Sequence, residues 1–206
     1  WSQSRDFFQH PLVAALLLAS VLVWLNQRGT PRPRGALLIG LLGGLAMLTR
    51  PFTLVWVPVF GGALTHDLLR EHAPARRWVS ILGAYTLPLL AAGLLWLGYN
   101  EIRFGDTAFT GYHGPEDQAG FTTPLGVGLR SNLLSEARSV LLYAPPLLAA
   151  LLGLWSFARR HPRPTMLVLA LGAAYLAGYS KWWAYEGGWC VGPRFLLPMA
   201  LLLMLP

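Results

Sequence analysis

Apolar residues along this chain run in long blocks separated by short charged loops. Blocks at 11–26, 78–100, 139–157 and 165–180 are comparable to the ~20 residues a helix needs to cross a hydrocarbon core of about 30 Å. Another block begins at Phe195 and runs to 206. The region 35–65 is apolar except for Arg50 and Pro51 at its middle. As one helix it would extend ~46 Å with a charge and a helix breaker at its centre. Read as a hairpin, its halves 35–49 and 51–65 each reach ~22 Å, which places Arg50 at a tip below the membrane surface.

Basic residues test the hairpin independently, because short cytoplasmic loops collect Lys and Arg. Three loops stand out: 27–34 with Arg28, Arg32 and Arg34, 66–77 with Arg70, Arg76 and Arg77, and 158–164 with Arg159, Arg160 and Arg163. All three fall on one side only if 35–65 crosses twice. The pattern therefore predicts an all-α, polytopic transmembrane helix bundle, read as a single domain over 1–206 with spans at 11–26, 35–49, 51–65, 78–100, 139–157, 165–180 and 195–206. Within it, Gly40 and Gly44 are spaced for close helix approach, and Pro88, Pro145 and Pro146 are positioned to bend their spans. The loop 101–138 lies outside, and Leu125, Leu129, Leu133 and Ala137 recur every four residues, which predicts a short interfacial helix there.

Composition agrees with this reading. The chain is 54% hydrophobic and 12% charged, with mean hydropathy +0.47, too little polar surface for a water-soluble domain. Its net charge of +7 could signal nucleic acid, but the basic loops, opposed only by Asp67 and Glu71, account for all of it. No nucleic-acid partner is needed. Cys190 is the sole cysteine, so neither an intrachain disulfide nor a cysteine metal cluster is available. The five histidines are scattered and no metal site is expected from them. Lacking an initiator Met and stopping within an apolar run, the chain reads as the middle of a longer multi-pass protein of the plasma (inner) membrane.

Polar chemistry gathers in three places on the predicted outer side. The loop after Glu101 carries Arg103, His113 and Asp117. The stretch 180–195, SKWWAYEGGWCVGPRF, sets Lys181, Glu186 and Arg194 among Trp182, Trp183, Tyr185 and Trp189. Part of this is the aromatic belt of any membrane interface. Two cations beside glycines and aromatic rings also suit a phosphate plus a sugar or prenyl chain, since Arg binds phosphate through two parallel hydrogen bonds. Arg50 is the third unusual cation, an ionisable group at membrane depth and hence a functional candidate.

Several of these stretches together resemble a known family. GLLGGLAMLTRPF at 40–52, YNEIRFGDTAFTGY at 99–112, GFTTPLGVGL, LLSEARSVLLYAPP at 133–146 and SKWWAYEGGWCVGPRFLLP are similar to bacterial GT-C superfamily glycosyltransferases, the group that includes protein mannosyltransferases and aminoarabinose transferases. The resemblance implies a polyprenyl-phosphate sugar as donor, membrane lipid as surroundings, an extracytoplasmic lipid, glycan or protein acceptor, and inversion at the anomeric carbon. With such a donor, the side-chain chemistry above would put the lipid phosphate on Arg50, Lys181 and Arg194, and sugar or prenyl contacts on Trp182, Trp183, Tyr185 and Trp189. The family's principal acidic residue falls upstream, which leaves Asp6, His10 and Glu186 as weaker candidates for the catalytic group. His10 stands where relatives often place an acid before proline. Some members use a divalent metal and others do not. Two other functions fit the same cations: a transporter or flippase of lipid-linked sugars, and a non-catalytic subunit of an envelope assembly.

Overall fold

The computed structural model describes residues 2–27, 29–107, 120–136, 139–185 and 196–203, and only the backbone of 2–8, 197 and 201. The described residues are helical, with no strand among them. The chain divides into two compact units, Trp1–Phe109 and Thr110–Pro206. Three helical stretches, Gln9–Asn26, Pro51–Arg70 and Ala75–Phe104, are long and apolar enough to cross a membrane.

Helices of the first unit are α1 (Ser2–Asn26), α2 (Pro33–Thr49), α3 (Trp56–Arg70) and α4 (Ala75–Phe104), with a 3-10 turn at Pro51–Val55 joining α2 to α3. Prolines set most of these starts. A residue before proline is driven out of the α region by the pyrrolidine ring, and both Arg32 (φ −115°, ψ 145°) and Arg50 (φ −152°, ψ 107°) are extended there. Pro33 and Pro51 then open the next helical segment, where a missing N–H costs nothing. At the far end, Gly105 closes α4 in the left-handed conformation (φ 70°), donating its N–H to the Glu101 carbonyl.

Glycines fix how α2 and α4 meet. A Cβ at Gly40 would strike the Tyr85 carbonyl, and one at Gly44 would lie 3.0 Å from the Ala92 Cβ and 3.2 Å from the Pro88 oxygen. Further along, the end of the Met47 side chain stands 3.9 Å from where a Cβ on Gly93 would lie, an ordinary contact. Contacts that climb together along both helices mean that α2 and α4 run parallel. The chain between them must therefore travel back, so 35–65 is a reversing pair broken at Arg50 rather than one continuous helix. Arg77 at the start of α4 confirms the return, donating to the Pro31 carbonyl across 46 positions of sequence. The buried Tyr85 hydroxyl donates to the Val57 carbonyl (2.8 Å), tying α4 to the start of α3.

Burial runs along one stripe of each helix, as in Trp56, Phe60, Leu64 and Leu68 of α3 or Ile81, Tyr85, Leu89 and Ala92 of α4, the spacing of a helix face. The opposite stripes are no more polar: Leu87, Leu90, Leu94 and Leu95 of α4 and Leu38, Leu41 and Leu45 of α2 are exposed. Apolar surface on that scale suits lipid rather than water.

The second unit holds α5 (Leu125–Leu134), α6 (Val140–Tyr143), α7 (Pro145–Arg160), α8 (Pro162–Lys181) and α9 (Leu197–Leu203). The sequence block 139–157 is not one helix. Ala144 precedes two prolines and leaves the α region (φ −128°, ψ 68°), separating α6 from α7. Ser139 caps α6, its hydroxyl accepting from the N–H groups of Leu141 and Leu142, a normal N-cap exchange. Helix α8 buries one face, with Leu171, Tyr175, Tyr179 and Ser180 enclosed. Helix α5 does not pack through its leucines. Its buried residues are Gly128 and Asn132, while Leu125, Val127 and Leu134 are exposed.

Candidate functional site

In the first unit the break at Arg50 brings a cation to the amino-terminal part of α1. Arg50 Nη1 hydrogen-bonds His10 Nε2 across 40 positions of sequence. A guanidinium has donors only, so Nε2 must accept and the imidazole must be neutral with its proton on Nδ1. His10 is buried and Arg50 half-buried. The extended backbone of Arg50 (φ −152°, ψ 107°) precedes Pro51, as the pyrrolidine ring requires. The Thr53 hydroxyl donates to the Arg50 carbonyl (2.9 Å) and closes the turn from below. The result is a fixed guanidinium at the reversal of an apolar helix pair.

In the second unit the stretch 120–123 is strapped to the end of α8 by backbone. Thr123 N–H donates to the Lys181 carbonyl (3.1 Å) and Trp183 N–H to the Gly120 carbonyl (2.9 Å). The Thr123 hydroxyl adds a bond to the Trp182 carbonyl (2.9 Å). Beneath the strap, α5 lies so close to α8 that a Cβ at Gly128 would overlap the Ser180 backbone. One turn on, Asn132 Nδ2 donates to the Ser180 hydroxyl (3.2 Å), both groups buried. Rings cluster over this frame: Phe121 meets Trp182 edge-on at 5.5 Å, and Trp182 meets Trp183 at 6.4 Å. Lys181 is exposed beside them, and Trp182, Trp183 and Tyr185 are half-buried.

The sequence candidates therefore sort as follows. Arg50 and His10 are joined. Lys181, Trp182, Trp183 and Tyr185 share one short segment held by the strap. Arg103, on the last turn of α4, donates to the Tyr99 hydroxyl (2.8 Å) and lies over the Phe104 ring at 5.0 Å, a side chain occupied by its own helix. Asp6 lies on α1, its side chain outside the described atoms. His113, Asp117, Glu186, Trp189 and Arg194 lie outside the described residues. Among the described residues no group of three or more His, Cys, Asp or Glu side chains converges.

Sequence reasoning placed His10 as a departure from an acidic position and did not pair it with Arg50. It also missed Gly128, Asn132 and Thr123. A signal existed: Gly128 and Asn132 are four apart, one face of a helix, and a small residue followed by an amide on that face is a packing and hydrogen-bonding stripe. No family model, curated protein or solved structure matches the chain.

Proposed function

We propose that this chain belongs to an integral membrane glycosyltransferase of GT-C type, which moves a sugar from a polyprenyl-phosphate donor to an extracytoplasmic lipid, glycan or protein acceptor with inversion. The observation that carries this reading is Arg50: a permanent cation oriented by a neutral histidine at the reversal of two apolar segments. Such a group suits the phosphate of a lipid whose tail lies in the bilayer. The strapped Lys181–Tyr185 segment supplies a second cation with aromatic faces suited to a sugar or prenyl chain.

In the reaction the acceptor hydroxyl attacks the anomeric carbon. The bond from that carbon to the phosphate oxygen breaks, and the electron pair stays on the phosphate. A general base takes the hydroxyl proton, a part the family resemblance gives to an acidic residue upstream, with Asp6, His10 and Glu186 the weaker candidates in this chain. Cations stabilise the charge that builds on the departing phosphate, the part given to Arg50, Lys181 and Arg194.

The test is turnover. The complete protein in proteoliposomes is given a panel of labelled polyprenyl-phosphate sugars. A glycosylated product, lost in Arg50→Ala and Arg194→Ala at normal expression, supports transfer. Donors that cross the bilayer unconsumed would replace this reading with transport, and a protein inert in both assays would leave only a structural part in an envelope assembly.

A further inference from the structure

The two basic loops of the first unit, 27–34 and 66–77, are fastened into one surface. Arg77 joins them, donating from Nη2 to the Pro31 carbonyl (3.0 Å) and pairing through Nη1 with Glu71 (3.0 Å). The Arg32 N–H is held in turn by the Gln27 side-chain oxygen (2.7 Å), and Trp78 Nε1 by the Ala73 carbonyl (3.2 Å). Glu71 is thus committed to Arg77, and Asp67 is buried beside His66. Arg32, Arg34, Arg70 and Arg76 are exposed, and no ion pair engages them among the described residues. Directly along the helices from these cations the surface turns apolar: Leu37, Leu38 and Leu41 on α2 and Val79 on α4 are exposed.

We infer that this platform binds an anionic phospholipid of the leaflet it faces, its phosphate on the arginines and its acyl chains along the exposed leucines. Charge complementarity and the adjoining apolar wall both favour lipid over a soluble polyanion, which would have no use for the leucines. Positive loops at a membrane surface attract acidic headgroups generally. What this structure adds is pre-organisation, since two loops far apart in sequence are locked together and the one exposed-side carboxylate is already spent within the lock. The inference stands apart from the glycosyltransferase reading, whose candidate groups are elsewhere.

The complete protein, reconstituted in phosphatidylcholine nanodiscs with a minority of phosphatidylglycerol, is examined by native mass spectrometry for retained lipid. Wild type is expected to retain phosphatidylglycerol in preference to phosphatidylcholine. R32Q/R34Q/R76Q should weaken that preference by roughly fivefold per charge removed, while R32K/R34K/R76K keeps most of it. A parallel change at the other basic turn, R159Q/R160Q, should leave the preference mostly intact. Equal retention of the two lipids by wild type, an unaltered preference in the glutamine variant, or an equal loss in R159Q/R160Q would each overturn the assignment. Should the glutamine variant fail to fold, quenching of tryptophan fluorescence in wild type by brominated phosphatidylglycerol and brominated phosphatidylcholine decides it: quenching no stronger with the former contradicts the inference.

Discussion

Arg50 and the strapped segment after α8 are both candidates for holding a lipid-linked sugar, yet they are positioned by opposite means. Arg50 is placed by a side-chain hydrogen bond to one histidine and by the backbone that Pro51 dictates. The Lys181–Tyr185 segment is placed by main-chain bonds to Gly120 and Thr123 and by a glycine-sized gap between α5 and α8. The first arrangement is sensitive to side-chain chemistry as well as to the Arg50–Pro51 backbone. The second rests mainly on backbone. A cation positioned through its side-chain contacts, His10 among them, can be removed or mispositioned by one substitution, whereas side chains on a backbone-held strap can change without moving their neighbours.

The largest effect expected from this contrast is at Arg50. Arg50→Ala should lower transfer by the complete protein about 10²–10³-fold, the loss typical of removing one donor that stabilises developing charge. Expression and thermal stability should change little. Next is Gly128, where any Cβ meets backbone rather than a movable side chain. Gly128→Val should destabilise the protein by at least the ~1–3 kcal/mol of overpacking, read as a lower thermal unfolding midpoint in detergent, and should disturb the strap above it. A tolerated valine would mean the strap does not depend on this crossing.

A smaller effect separates position from charge at the first site. His10→Ala keeps the guanidinium but removes its acceptor, and should reduce transfer by roughly tenfold, the scale of a hydrogen bond to a charged group. His10→Gln, whose amide oxygen can accept, should recover part of it. Between helices α2 and α4, Gly40→Ala should cost more than Gly43→Ala, because the added methyl meets the Tyr85 carbonyl in one case and the end of the Leu89 side chain (3.2 Å) in the other. The smallest effect on stability is expected at Lys181→Ala, within about 0.5 kcal/mol. Its carbonyl, not its ammonium, holds the strap, so any loss of transfer there reports charge alone.

How far the sequence reaches follows the same division. The reversal at Arg50 is legible because Arg50–Pro51 combines a helix-breaking dipeptide with an apolar run too long for one span. Close approach of α2 and α4 is legible in Gly40 and Gly44 at one-turn spacing. The α7–α8 turn is legible in His161–Pro162, where His161 stands outside the α region (φ −133°, ψ 63°), as a residue before proline is driven to do. The bond between His10 and Arg50 is not legible, since it depends on which helices become neighbours. Nor is the strap, because backbone hydrogen bonds carry no residue signature: Gly120 and Lys181 take part through groups that every residue has. In α5 the leucine repeat drew attention one position away from the packed face. Only Gly128 and Asn132 could have pointed to α8, and what they fit against became evident with Ser180 in place.

The most direct measurement of the central claim is equilibrium binding of a polyprenyl phosphate to the complete protein, wild type against Arg50→Ala. If the histidine-oriented guanidinium receives the lipid phosphate, the variant should bind about thirtyfold more weakly or worse, as truncating one member of a charged hydrogen-bonded pair does, with Arg50→Lys between the two. Equal affinity in wild type and Arg50→Ala would contradict it.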